Sequence, residues 1–316
     1  MNITVIFTGG TIGSLEKQAW IGLDDCTQYK LLNPFQERYK DIAFSVKMPY
    51  AILSENLSGR ELNCLQDVLA ETIREKPDGI IVTHGTDTIQ YTATAMEYAF
   101  ADAGIPVVFV SAAYPLEHPA TNGYINFEGA IEFIRHRSQG GVYVSYKNEH
   151  QSYTQIHIPS RLLQHGEQSA DLYSLGNCVY ATYNGEIFSR ETVCPAHSDS
   201  GVVRYCDYPG ILTVESVPGN AYLYSLESVC AIILKPYHSA TLNTTNDAFV
   251  DFCRRANAKG IPIFLASIPG DVQYESSQMF IQLGIHIVPL PTFISLYVKI
   301  WRGISLDKNL TEYLKG

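Results

Sequence analysis

Several absences narrow the chemistry of this sequence before any motif is read. It contains no CxxC pair and no HExxH, and its seven cysteines (Cys26, Cys64, Cys178, Cys194, Cys206, Cys230 and Cys253) are odd in number and widely spaced. That pattern describes reduced thiols rather than a disulfide framework or a zinc site. The nine histidines are scattered without ligand-like pairing, so no metal centre is expected. No uninterrupted apolar stretch approaches the ~18 residues of a membrane span. The chain enters a strand pattern at once through Ile3, Val5 and Phe7, without a basic leader or cleavage site, which gives a cytoplasmic expectation. Lys and Arg together number 22 against 32 acids, a formal net charge of −10. Nucleic acid and anionic membranes reward clustered cations, so neither is expected as a partner. Internal repeats and low-complexity tracts are also missing.

What is present is an alternation of strands and helices. Ile3–Phe7, Gly79–Val82, Val107–Val110 and Val142–Ser145 are short apolar runs. Between them, Ser58–Lys76, Gln90–Ala103 and Asn126–Arg137 carry helical spacing, as in Leu62, Leu65, Val68, Leu69 and Ile73. Apolar strands separated by helices predict a mostly parallel sheet covered on both faces, with a ligand beyond its carboxyl edge. The pattern dissolves near residues 191–208, read as a linker, and resumes from 209 to 316 as a smaller α/β domain. Its expected elements are strands Gly210–Val214, Val229–Leu234 and Pro262–Ala266, with helices Thr245–Ala258 and Phe293–Arg302. The first domain then covers residues 1–190.

Two of the apolar runs stop in the same way. The first ends in TGGTIG, residues 8–13, and the second in THGTDT, residues 83–88. Glycine beside a small hydroxyl lets the backbone turn tightly and brings the hydroxyl close to a ligand. A threonine hydroxyl is a weak nucleophile that needs a base, a relay or a polarising site, and backbone N–H groups in such a turn can hold an oxyanion. Asp87 could hold an ammonium group or orient a proton relay. The plainer alternative is structural: Thr88 could simply cap the next helix. A third reading takes Gly9, Gly10 and Gly13 as a dinucleotide turn, but Thr8 stands where that fingerprint needs its first glycine.

TGGTIG near the start, followed some 75 residues later by HGTDT after a strand, resembles the bacterial-type L-asparaginase family, which includes glutaminase-asparaginases and amidotransferase subunits acting on glutamyl-tRNA. HGTDTIQYTATAMEYAF and the following GIPVVFVSAA look most like its cytoplasmic type I branch. The resemblance implies an α/β asparaginase/glutaminase-like fold in two domains, no cofactor, and a homodimer or homotetramer. It implies hydrolysis of a carboxamide, L-asparagine or a related small amide, to an acid and ammonia. Thr11 resembles the nucleophile, Thr86 the second catalytic threonine, and Asp87 the acid that meets the substrate's amino group. Ser54 resembles the binder of the substrate carboxylate, with Glu55 beside it, and Gly10 and Gly85 belong to the substrate-binding turns. Trp20 is the aromatic nearest to the family's lid tyrosine, with simple lid packing as the alternative reading.

The departures are specific. The family's lysine, which pairs with the threonine–aspartate dipeptide, has no counterpart in SYTQIHIPSRLLQHGEQS, where a gapless alignment puts Ile158. His157, Arg161 or Lys147 could supply a cation instead; arginine stays protonated and is a poor shuttle, so His157 is the better base. The family's S-D-G segment is Thr121-Asn122-Gly123. In the second domain a glycine-rich turn is replaced by PYHSATLNTTN, and the acid that opens the last long helix aligns with Ile294. The alternative to an altered amidohydrolase is a catalytically weak member that binds a small molecule or a partner.

Overall fold

The centre of the fold is built from strands with no polar face. In GIIVT and PVVFV every residue is buried, which requires helices on both sides of the sheet. The structure, a computed structural model, describes residues 1–17, 20–23, 27–136, 139–186, 188–190, 200–266 and 274–315. It divides into two units, Met1–Val203 and Arg204–Gly316. Residues 191–199 of the expected linker lie outside the described residues.

In chain order the first unit contains β1 (Asn2–Phe7), β2 (Ser14–Lys17), β3 (Trp20–Leu23), α1 (Thr27–Arg38), β4 (Ala43–Lys47), α2 (Gly59–Glu75), β5 (Gly79–Thr83) and α3 (Ile89–Phe100). It continues with β6 (Pro106–Val110), α4 (Gly123–His136), β7 (Gly141–Tyr146), β8 (Thr154–His157), β9 (Ala181–Tyr183) and β10 (Phe188–Arg190). Eight strands form one sheet in the order β10-β9-β8-β7-β6-β5-β1-β4. From β4 to β7 every pairing is parallel, and from β7 to β10 every pairing is antiparallel. β2 and β3 make a separate hairpin.

Local signals explain the helix ends. Ser58 and Glu61 form a capping box at the start of α2, and Lys76 closes it in the left-handed conformation (φ 56°) ahead of Pro77. Thr88 precedes α3, but its side chain caps nothing; its hydroxyl donates to the Ser54 carbonyl instead (2.9 Å).

The second unit contains β11 (Ile211–Glu215), β12 (Ala231–Lys235), α5 (Asp247–Ala258), β13 (Ile263–Ala266), β14 (Ile285–Val288), α6 (Phe293–Ser305) and α7 (Leu310–Tyr313), with a four-stranded parallel sheet β11-β12-β13-β14. Asn246, at the end of PYHSATLNTTN, caps α5 by accepting from the Ala248 and Phe249 N–H groups. Ile294 is fully buried.

The five described cysteines, Cys64, Cys178, Cys206, Cys230 and Cys253, are free thiols. Among the described residues no helix is long and apolar enough to cross a membrane.

Two buried histidines make the first unit sensitive to acid. Burial pushes His84 down to about 4 and His157 to about 3, from an ordinary value near 6.5. Both are therefore neutral in the folded state at pH 7. As pH falls below about 6.5 the unfolded chain takes up protons that the folded chain refuses, so stability is lost progressively down to about pH 3. Between pH 6 and 4, His157→Asn is expected to flatten the fall in unfolding free energy by about 1 kcal/mol per pH unit. Denaturant titrations across that range measure it; an unchanged slope would contradict the neutral, buried state of His157.

Candidate active site

Because β1, β5, β6 and β7 run parallel, their carboxyl ends emerge on one edge. The register Phe7↔Thr83, Thr83↔Val110 and Val110↔Ser145 sets the exits side by side. The Thr8 hydroxyl donates to the Thr83 carbonyl at 2.7 Å, tying the first exit to the second. On the other side Gly9 bridges to Ile52, with the Ile52 N–H on the Thr8 carbonyl and the Gly10 N–H on the Ile52 carbonyl. This brings Ser54 alongside.

The two threonine turns meet backbone to backbone. Gly10 has φ 77°, and a Cβ built on it would clash with the Cα and N of Gly85. A Cβ on Gly85 would clash with the Ser54 side chain. The sequence motifs that lie 75 residues apart are thus one assembly, with Thr11, Thr86 and Ser54 each attached to a member of the contact. The Gly10 N–H is committed to Ile52 (2.9 Å), so Gly10 acts through close approach and not as an oxyanion donor.

Thr11 opens a single 3-10 turn, Thr11–Gly13, that leads directly into β2. A dinucleotide turn would instead open a helix. Thr11 is half-buried. Among the described residues its hydroxyl makes no hydrogen bond, and neither do Ser54 Oγ and the exposed carboxylates of Asp87 and Glu55.

The Thr86 hydroxyl is engaged. It lies 2.8 Å from the Ala112 carbonyl, to which it donates, and 2.8 Å from the Ser111 hydroxyl. Asn126, fully buried on α4, holds this loop by donating to the Ser111 carbonyl while its oxygen accepts the Lys147 N–H (both 2.8 Å). Asn122 works in parallel. Its oxygen accepts the Ala113 N–H and its amide donates to the Lys147 carbonyl, both at 2.8 Å. One partner is a donor and the other an acceptor, so only an amide fits. This accounts for an asparagine where the S-D-G pattern has a carboxylate. Asn122→Asp is expected to lower unfolding free energy by about 2 kcal/mol, because a carboxylate would face the Lys147 carbonyl with no proton to give. Wild-type stability in a denaturant melt of that variant would rule out this account.

The candidate replacements for the missing lysine have different settings. His157 pairs with Val144 on the antiparallel β8, below the carboxyl edge. It is fully buried, uncharged, and hydrogen-bonded through Nδ1 to Ser174 Oγ (2.8 Å). Ile158 belongs to the apolar core with Phe127 and Tyr143. Arg161 ends the short turn Pro159–Arg161, which is pinned to α3 by Ser160 N–H and hydroxyl bonds to Glu97 at 2.6 and 3.1 Å. Its Nε is buried without a hydrogen-bond partner among the described residues. Lys147 leaves β7 on the same edge as Thr86. The Trp20 side chain lies outside the described residues.

Two contacts to Thr86 were not singled out from the sequence. Ser111 is visible only as a small residue after an apolar strand. His165 Nε2 lies 2.8 Å from the Thr86 carbonyl, a contact across 79 positions that no local pattern reports. No cluster of side chains able to hold a metal ion occurs among the described residues.

A parallel-rich α/β sheet carries two threonine turns closed on each other at its carboxyl edge, and this is the candidate site. The chain belongs to the asparaginase family: the asparaginase N-terminal domain matches residues 2–179. Among solved structures, the thermostable L-asparaginase from Thermococcus kodakarensis superposes with a TM-score of 0.77 at 19% identity, covering 100% of this chain and 96% of that one. L-asparaginase I from Vibrio cholerae gives 0.78 at 19% identity, with 99% and 95% covered. A probable cytoplasmic L-asparaginase from Campylobacter jejuni gives 0.77 at 19% identity, with 99% and 98% covered. Curated relatives include a subunit of glutamyl-tRNA(Gln) amidotransferase from Sulfurisphaera tokodaii, 24% identical over 84% of this chain and 61% of that protein. The counterpart from Methanosphaera stadtmanae is 26% identical over 51% and 36%. This chain spans less than two thirds of the length of these curated relatives.

Proposed function

We propose that this protein hydrolyses a small carboxamide, L-asparagine or a close relative, to the acid and ammonia. The observation that carries the reading is the Gly10–Gly85–Ser54 contact, which joins the two threonine turns into one site. In this reading the Thr11 hydroxyl adds to the amide carbon and its proton passes to the departing nitrogen. Ammonia leaves, and water then cleaves the ester formed on Thr11. The free carboxylates of Asp87 and Glu55 favour a substrate that carries an ammonium group, and the unpartnered Ser54 hydroxyl favours one that also carries a carboxylate. Thr86, held by Ala112 and Ser111, is the second hydroxyl at the reacting group. Family resemblance supports a homodimer or homotetramer.

The experiment is ammonia release by the purified chain from L-asparagine, D-asparagine, L-glutamine and a panel of amide-bearing metabolites. Release from L-asparagine supports the narrow form of the reading, and release from another amide alone moves the substrate. A second reading is favoured by the amidotransferase names among the relatives and by the apolar setting of Ile158. Here the chain turns over weakly by itself and works by binding a small molecule or a partner protein. No release from any amide, with binding seen in a thermal-shift panel, would select it.

A further inference from the structure

The loop closed by the Leu162–Ser174 bridge is anchored to the segment that follows β7 and touches the Thr86 turn. Its base is fixed by the Leu163 N–H on the Tyr173 carbonyl at 2.9 Å. Asn148, just past β7, brackets Leu172 by donating to its carbonyl (2.8 Å) and accepting its N–H (2.9 Å). Asp171 accepts the Glu149 N–H at 3.0 Å. From this anchored base the half-buried His165 reaches the Thr86 turn.

Both ring nitrogens of His165 face carbonyl oxygens: Nε2 that of Thr86 at 2.8 Å, and Nδ1 that of Asp171 at 3.1 Å. A carbonyl only accepts, and a neutral imidazole has one N–H to give. Both contacts are hydrogen bonds only when both nitrogens carry protons, and the ring is then a cation. The charged and titratable groups on the segments it joins are mostly acidic: Asp87 on the Thr86 turn, Glu167 and Asp171 on its own loop, and Glu149, Lys147 and His150 after β7. The carbonyl held by Nε2 belongs to the peptide that links Thr86 to Asp87.

We propose that His165 is a positioning residue for the second threonine: a doubly protonated imidazole that fixes the Thr86–Asp87 peptide and brings to it the positive charge that the segment 152–169 lacks as lysine. The kinetic half of this inference rests on the amide-hydrolase reading above; the protonation half does not. Neither ring contact involves the nucleophile, so His165 acts through Thr86 and not on the substrate.

Nitrogen NMR of the ring in the intact protein at neutral pH tests the charge directly and needs no substrate. Signals from two protonated ring nitrogens are expected, and a single neutral tautomer would overturn the proposal. Kinetics then test the role on whichever amide is cleaved. His165→Gln keeps an amide NH2 that can donate, without the charge, and His165→Lys restores the charge. His165→Gln is expected to lower kcat by about 10²-fold with KM changed less than about 3-fold, and His165→Lys to recover about 10-fold of that loss. A His165→Gln enzyme with wild-type kcat would overturn the proposal, as would equal loss in both variants when their thermal melts match the wild type. If the wild type cleaves no amide, the hydrolase reading has failed, and amide-proton exchange at Thr86 and Asp87 in His165→Gln decides the positioning role. Faster exchange at those two sites supports it, and unchanged exchange overturns it.

Discussion

Thr11→Ala is expected to abolish ammonia release, lowering it by about 10³-fold or more, while the melting behaviour of the protein stays close to that of the wild type. The two halves of this expectation have separate physical grounds. The Thr11 hydroxyl makes no hydrogen bond to the described residues, so its loss breaks no contact among them. The turn it opens is held by backbone and by its neighbour: the Gly13 N–H bonds to the Gly10 carbonyl at 2.9 Å and the Ser14 hydroxyl to the same carbonyl at 2.7 Å. Removing Oγ1 therefore removes the proposed nucleophile and little else. Thr11→Ser retains the hydroxyl and is expected to keep more activity than Thr11→Ala. Ammonia release by Thr11→Ala at the wild-type rate would mean that another group attacks the amide.

The second large effect is structural. Gly10→Ala is expected to destabilise the protein by more than about 3 kcal/mol and to remove activity with it. Two costs combine. At φ 77° an alanine is strained, and its methyl group would occupy the space of the Gly85 backbone, which has no rotamer by which to withdraw. Gly13, three positions along the same motif, is the internal control. A Cβ there meets nothing within 4 Å, and Gly13→Ala should change stability by less than about 1 kcal/mol. Equal melts for Gly10→Ala and Gly13→Ala would mean that the two turns are not in contact.

Much of this fold was legible because the central elements carry their own signals. The apolar runs at β1, β5, β6 and β7 have no polar face, and α2 is written out in full from the Ser58 cap to Lys76-Pro77. The elements at the margin are silent for physical reasons. In β4 three of the five residues are exposed, so it shows neither a buried run nor strict alternation. α1 carries Pro34 within its span, which reads as a break. The site divides along the same line. Thr11, Thr86 and Asp87 were visible because each follows a strand that announces itself. Ser111 and His165 were not, since a serine after an apolar run and a lone loop histidine have no periodicity to report. Their meaning comes only from bonds to Thr86 formed across the sheet edge. The missing lysine drew attention to His157, but antiparallel pairing carries that residue back below the edge.

The meeting of Gly10 and Gly85 has a consequence for how such a protein can diversify. Where the two turns touch, the floor of the site is made of main chain, and substitution cannot reshape it without breaking it. Asp87, Glu55, Lys147 and His165 are ordinary side chains on exposed or half-buried turns, each replaceable one codon at a time. The molecule thus separates an inflexible casting from interchangeable fittings. Side chains at the margin can change one by one while the casting stays as it is.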